Sequence, residues 1–266
     1  MDWVKDFYEG SVRWWGEAES MVGDRDRRRV ALFHRLLGDT PKTILELGCG
    51  SATTATAFAQ AGHRVVGIDL VDRSRFPAPL VDRFAPGALR VLRADFYEVD
   101  LGERFDAVTY WNGFGIGDDA DQRRLLRRVA AEWLADGGTA LIDVFNPLVW
   151  AAWHGDVEHR PARPEAGYHH DLFERNGFDP VANRAELTWT DAADSQERFT
   201  QYLRCYSPAD LRLLLENTGL RLDRIVAGED SLDLAAAHTG HLPLLKEHYE
   251  YVAVLEPVDL PPADQH

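Results

Sequence analysis

Lysine is scarce in this chain of 266 residues: Lys5, Lys42 and Lys246 stand against 26 arginines. That leaves few candidates for Schiff-base chemistry. There are two cysteines, Cys49 and Cys205, too few for a disulfide framework or a cysteine-rich zinc site. No apolar run approaches the length of a membrane span, and the opening "MDWVKDFYEG" is acidic and aromatic, unlike a signal peptide. Positive charge is in deficit, with a formal net charge of −15. Nucleic-acid affinity rests on neutralising phosphates with Lys and Arg, so this balance argues against such a partner. These absences describe a cytoplasmic protein with a small-molecule partner and neither a nucleic-acid nor a membrane partner. They leave its oligomeric state open.

What is present is a rhythm of short apolar strands and helices. Residues 1–23 carry Trp3, Phe7, Tyr8, Trp14 and Trp15, and a helix is predicted over Asp24–Leu37. Strands follow at Thr43–Leu47, Arg64–Asp69, Leu89–Arg93, Phe105–Trp111 and Gly138–Phe145, with helices at Thr53–Ala61 and near Asp119–Ala135. The rhythm stops at Pro147. From there to Tyr206 the chain is aromatic and irregular, with two antiparallel strands expected at Arg184–Thr190 and Glu197–Tyr206. A helix resumes at "SPADLRLLLENTG", and strands Leu220–Val226 and Tyr249–Leu255 finish the pattern. The expected fold class is α/β: a Rossmann-like, seven-stranded, mostly parallel sheet with helices on both faces. One domain over 1–260 is expected, made of an N-terminal lid and helix (1–37), a core (43–146), a cap inserted after strand five (147–206) and final elements (207–256). The tail 257–266 is expected to be disordered.

The stretch "LELGCGSAT" places Gly48 and Gly50 in a turn between a strand and a helix. Glycines there permit a tight turn and close approach to a ligand. A dinucleotide site would want a third glycine, where this chain has Thr53. It would also want a helix N-terminus free for diphosphate, and Glu46 at the lip would repel one. A cationic ligand suits the acid, and S-adenosylmethionine (SAM) carries both a sulfonium and an ammonium. Asp69 ends strand two, 19 residues after Gly50, where a carboxylate can accept from both ribose hydroxyls. Asp95 follows strand three, where it can accept from an adenine amino group while Phe96 packs on the ring. Leu70 and Trp111, beside these strand ends, join the candidate cofactor set.

On these residues the chain resembles class I SAM-dependent methyltransferases. "LELGCGSAT", "VVGIDL", "LRADFYE", "FDAVTYWNGFG" and "LADGGTALIDVF" are similar to the family's five motifs in order. Ala52 departs from the glycine often found there. A narrower resemblance is to small-molecule N-methyltransferases of the glycine and sarcosine type. It implies that Arg28 in "VGDRDRRRVALFHRLLG" grips the methionine carboxylate, with Arg27 or Arg29 one slip away. It also implies that Asn112 lies beside the acceptor and Tyr8 near the methyl group. The product would be S-adenosylhomocysteine, and no metal is implied.

For the acceptor, Phe145 stands where the glycine-type branch holds a carboxylate with arginine, and a phenyl group cannot pair that anion. With Trp15, Phe114 and Trp153 it suggests aromatic walls, so a small aromatic or heteroaromatic acceptor is expected. Glu17 or Glu19 is placed at its rim. The resemblance also brings an indole carbon acceptor of actinobacterial specialised metabolism into view. If the acceptor must lose a proton, His170 or His241 in the cap-forming regions is the candidate base. N-methylation of a small amine or amino acid, and a fold member that does not methylate, stay open. An NAD oxidoreductase is disfavoured by Thr53 and Glu46.

Overall fold

A computed structural model describes residues 2–16, 18–71, 87–234 and 242–258. Helix α1 spans Asp2–Trp15 and α2 spans Asp24–Leu37. The core then runs β1 (Thr43–Leu47), α3 (Thr53–Gln60), β2 (Arg64–Asp69), β3 (Leu89–Arg93), β4 (Phe105–Tyr110), α4 (Asp119–Arg128) and β5 (Leu134–Phe145). The helix expected to reach Ala135 instead ends in a π turn, Val129–Trp133, and β5 begins four residues early. The stretch after it holds α5 (Pro147–Ala152), β6 (Val157–Arg160), β7 (Leu172–Asp179), β8 (Arg184–Asp191) and β9 (Arg198–Arg204). The chain closes with α6 (Pro208–Leu214), β10 (Leu220–Ala227), β11 (Asp230–Asp233), α7 (Leu242–Glu247) and β12 (Glu250–Pro257).

The main sheet has eight strands in the order β11-β10-β12-β5-β4-β1-β2-β3. The eighth, unexpected strand is β11, which folds back antiparallel on β10 at the edge. Strands β1 to β5 run parallel, and β12 joins β5 antiparallel. From β1 the chain steps to β2 and β3 on one side and then to β4 on the other. That reversal opens a crevice at the C-terminal ends of β1 and β4, where open α/β sheets bind ligands. The core lies on both faces of the sheet: Phe33 and Phe58 pack on one, Leu126 and Trp133 on the other.

The cap is a four-stranded antiparallel sheet, β6-β7-β8-β9, where two strands were expected. Along β7 and β8, residues 172, 174, 176, 185, 187 and 191 are buried, while the alternate residues Phe173 and Arg175 are exposed. The inner face packs on Phe145 and Trp150, which follow β5. Helix α1 lies along β9. Gly10 lets the helix close on Phe199, whose ring would sit 2.3 Å from a β-carbon there. Trp14 meets Phe199 at 5.1 Å and Trp15 meets Trp189 at 5.2 Å, both edge-on. The N-terminal aromatics are therefore the ridge that seats α1 on the cap.

One clasp holds α2 to the core. His34 Nε2 lies 2.9 Å from His63 Nε2, and His63 Nδ1 accepts the Lys42 N–H at 3.1 Å. That pattern assigns the pair one proton between the facing nitrogens. Burial, then His34, then Lys42 depress the His63 pKa below its ordinary value. A depressed histidine adds stability that is full above the unfolded value near pH 6.5 and is lost as pH falls, by up to about 1.4 kcal/mol per pH unit. The melting temperature of His63→Gln relative to wild type should therefore rise from pH 7.5 to 5.5. A difference that does not change with pH would remove the clasp from the account.

Candidate active site

The loop after β1 is built for close approach. Gly48 and Gly50 adopt φ of 59° and 56°, and a β-carbon on Gly48 would meet the Tyr110 ring at 2.9 Å. Ala52, the departure from the family pattern, also takes a left-handed φ of 58° and begins α3. Asp69 ties this loop to the next strand end. One of its oxygens accepts the Gly50 N–H at 2.7 Å and the other the Val71 N–H at 2.8 Å. Each oxygen keeps a further lone pair for a ribose hydroxyl. Asp95 accepts the Tyr97 N–H at 2.8 Å. Leu70, after Asp69, is exposed, and Phe96, after Asp95, is half-buried with its ring 5.8 Å from Tyr110.

Glu46 is 3 % exposed, and its Oε2 has no hydrogen-bond partner. Burial raises its pKa to about 8, Arg29 opposes that, and Asp26 and Asp69 add to it. An orphaned, buried carboxylate beside a glycine cradle fits a cationic amine, so these residues fit SAM.

Arg29 reaches the site, with Arg25 one turn before it near Asp143, whereas Arg28 does not. On α2 the inward positions are Asp26, Arg29, Val30 and Phe33, spaced by helical turns, whereas Arg28 projects to the exposed side. Arg29 donates to Thr54 Oγ1 at 3.0 Å and to Asp143 Oδ2 at 3.3 Å, and it lies 5.1 Å over the Trp111 ring. Asp26 accepts from the Thr53 and Thr54 hydroxyls at 3.1 and 2.6 Å, pinning α2 to the start of α3. The inward face marked by Val30 and Phe33 includes Arg29 by phase, four residues before Phe33.

Sequence reading also missed an acidic basin at the ends of β5 and β12. Glu250 pairs across from Phe145, and Val252 across from Asp143. Burial raises the Asp143 pKa, while Arg29, Arg25 and the Asn112 N–H counter it. Burial, then Asp143, raises Glu250 to about 7, and its Oε2 has no hydrogen-bond partner. A charge inside "LIDVF" and another inside "YEYVAVL" were the available signals.

The acceptor-side expectations divide. Asn112 sits at the β4 turn with φ 57° and an exposed side chain. Tyr8 accepts the Gln201 Nε2–H at 2.6 Å, and the Tyr8 phenol is near enough to help raise the pKa of Tyr110, which burial chiefly raises. Trp15 lies between α1 and the cap. Phe114 is a correction: it is wholly buried between Tyr110 and Tyr206 in the core beneath the sheet. Trp153 is another, for it is 37 % exposed and packs on Trp150 and Tyr249 at the surface. Phe145, 2 % exposed, belongs to the apolar joint between core and cap. His170 Nδ1 pairs with Asp191 Oδ2 at 2.8 Å. Asp191 stands four residues along β8 from Leu187, the residue opposite Gln201, which is about 14 Å at strand rise. His170 is thus not brought to Tyr8 and Asn112. His241 and Glu17 lie outside the described residues, as do 259–266 of the tail. Among the described residues, no group of three His, Cys, Asp or Glu side chains is placed to hold a metal.

A family model described as a methyltransferase domain matches residues 21–225. The chain belongs to that methyltransferase family. The five motifs are therefore those of a SAM-dependent methyltransferase, and the oxidoreductase alternative is set aside. The cypemycin N-terminal methyltransferase of a Streptomyces species is 32 % identical to it over 121 residues. That match spans 44 % of this methyltransferase and about half, 47 %, of the relative's own length. The CcbJ methyltransferase from Streptomyces caelestis shares the fold with TM-score 0.70 at 21 % identity, over 95 % of this chain and 98 % of that one. The 1,6-didemethyltoxoflavin-N1-methyltransferase of Burkholderia thailandensis was solved with 1,6-didemethyltoxoflavin and S-adenosylhomocysteine bound. It shares the fold with TM-score 0.52 at 20 % identity, over 97 % of this chain and 86 % of that one.

Proposed function

We propose that this protein transfers the methyl group of SAM to a small aromatic or heteroaromatic acceptor in specialised metabolism, an indole-type compound among the candidates. The observation that carries the reading is the buried, unpartnered Glu46 carboxylate beneath the Gly48–Gly50 loop, with Asp69 and Asp95 at the two neighbouring strand ends. When bound, SAM supplies a methyl group already activated on sulfonium. Glu46 receives the amine, Asp69 the ribose, and Asp95 with Leu70 and Phe96 the base. Arg29 takes the carboxylate role first given to Arg28. The chain's remaining work is alignment and exclusion of water, and α1 lying on the cap provides a roof for both.

The acceptor side is aromatic in this reading because the roof and cap present Trp15, Trp189 and Phe199. The Burkholderia protein of the same fold holds a heteroaromatic ring. An amine acceptor is the second reading. It is favoured by the Glu250 oxygen left without a hydrogen bond and by the cypemycin relative's name. Mass spectrometry of reactions with SAM and a panel of indoles, phenols, amino sugars and amino acids tests both. Methylated indoles or phenols support the first reading, with full activity after EDTA treatment. Glycine or sarcosine as best acceptor would overturn it, and loss restored by magnesium would overturn metal independence.

A further inference from the structure

The acidic basin at the ends of β5 and β12 is one connected set of charges. Arg25 lies within electrostatic reach of Glu250, Tyr249, Asp143 and Glu19, and Glu250 within reach of Asp143, Arg25 and Arg29. The Tyr249 phenol hydrogen-bonds the Glu250 carboxyl, and Arg29 donates to Asp143 Oδ2 at 3.3 Å. The basin meets the turn after β4, because Asp143 accepts the Asn112 N–H. It also meets solvent: Arg25, Asn112 and Tyr249 are exposed, and Glu250 is only half-buried. Yet Glu250 Oε2 has no hydrogen-bond partner. In the free protein the two arginines, Arg25 and Arg29, offset the two acids, Asp143 and Glu250. Once Arg29 turns to the cofactor carboxylate, as the proposed function requires, both acids face Arg25 alone. A carboxylate left there without a counter-charge costs several kcal/mol, so the loaded site calls for a cation.

We propose that the Glu250 carboxylate anchors a positively charged nitrogen of the acceptor. This deepens the aromatic-acceptor reading and rests on it. Tyr249 is a positioning residue that holds the carboxyl and leaves Oε2 for the ligand. Strand β5 separates β12 from β4, and adjacent strands lie about 4.8 Å apart, so Glu250 stands about 10 Å from the β4 turn. The anchored nitrogen is therefore about a ring's length from the atom that takes the methyl group, and it is not that atom. The acceptor class is an aromatic or heteroaromatic ring bearing a basic side-chain amine. Because the surplus acid arises when the cofactor carboxylate engages Arg29, cofactor and acceptor strengthen each other's binding.

The test is calorimetric titration with tryptamine, 3-ethylindole and propylamine, in saturating S-adenosylhomocysteine and without it. The first two share a ring and differ in charge, and the third carries the charge alone. At pH 8 wild type should hold tryptamine about tenfold tighter than 3-ethylindole with S-adenosylhomocysteine present, and by a smaller factor without it. Burial, then Asp143, sets the Glu250 pKa at about 7, so the preference should shrink as pH falls from 8 to 6 and the carboxyl protonates. Glu250→Gln keeps the shape and should bring the two indoles within about twofold at every pH. Its melting temperature at pH 6, where the wild-type carboxyl is itself mostly protonated, should match wild type and show the variant folded. Equal binding of the two indoles by wild type would overturn the proposal. So would a preference that survives in the variant, or no binding of any probe. Propylamine held as tightly as tryptamine, and released in the variant, would sustain the anchor and count against the aromatic reading alone.

Discussion

Asp69→Ala should lower the affinity for S-adenosylhomocysteine by about 150-fold or more, which is about 3 kcal/mol or more. In the free protein the carboxylate already serves two backbone donors, the Gly50 and Val71 N–H groups. In the proposed reading, ligand binding adds two ribose hydroxyls to the same oxygens. Each hydrogen bond to a charged group contributes about 1.5–3 kcal/mol, and the alanine variant forfeits both. It also loosens the glycine loop, whose left-handed turn Asp69 anchors from β2. Asp69→Asn separates the two effects. It keeps one acceptor for the loop, so its loss should be nearer tenfold, with a melting temperature close to wild type. Calorimetric titration of the three proteins decides the matter. Unchanged affinity in the alanine variant would remove Asp69 from the cofactor site and with it the assignment of that strand end.

Strands β1, β2 and β3 lie where the sequence puts them, because each is a short apolar run stopped by a turn. The cap was half legible. Strand β8 shows alternation, but β7, "LFERNGFD", buries Glu174 and Asn176 on its inner face and exposes Phe173. Its hydropathy therefore runs against its burial, and β6 is exposed throughout. A period-two reading has nothing to hold in either. These polar residues are buried because α5, which carries Trp150, packs on β7, and because Arg160 donates to Glu174.

The candidate cofactor site was legible where a residue sits at a strand end, since strand direction fixes its place. Glu46, Asp69 and Asp95 follow from that alone. Arg28 failed for a reason of helical phase, and the neighbouring Arg29 turns inward with Phe33. The aromatic positions Phe114 and Trp153 failed because a ring after a strand can turn toward core, cleft or solvent, and only packing against Tyr206 or Tyr249 decides which. The acid partners Asp143 and Glu250 come from strands adjacent in space and far apart in sequence, so neither could nominate the other.

S-adenosylhomocysteine binding should release a proton at neutral pH, and Glu46 is its source. In the free protein burial holds this carboxyl at about 8, so at pH 7 it is mostly protonated. A cationic amine seated against it favours the ionised form and pulls the pKa down. Affinity should then rise with pH, by up to about tenfold per unit, between pH 6 and 7.5. The stability of the free protein runs the other way. A carboxyl whose folded pKa is raised above the unfolded value near 4.3 stabilises fully below that value, and the contribution is lost as pH rises through about 8. Glu46→Gln keeps the shape and removes the charge. It should raise the melting temperature of the free protein at pH 8, weaken binding there by ten- to about 100-fold, and flatten the pH dependence. Calorimetry at pH 7 in two buffers of different ionisation enthalpy reads the proton count directly. Wild type should release close to one proton and Glu46→Gln close to none. Equal counts in the two proteins would place the titrating group elsewhere, with Glu250 the next to replace because burial raises it to about 7.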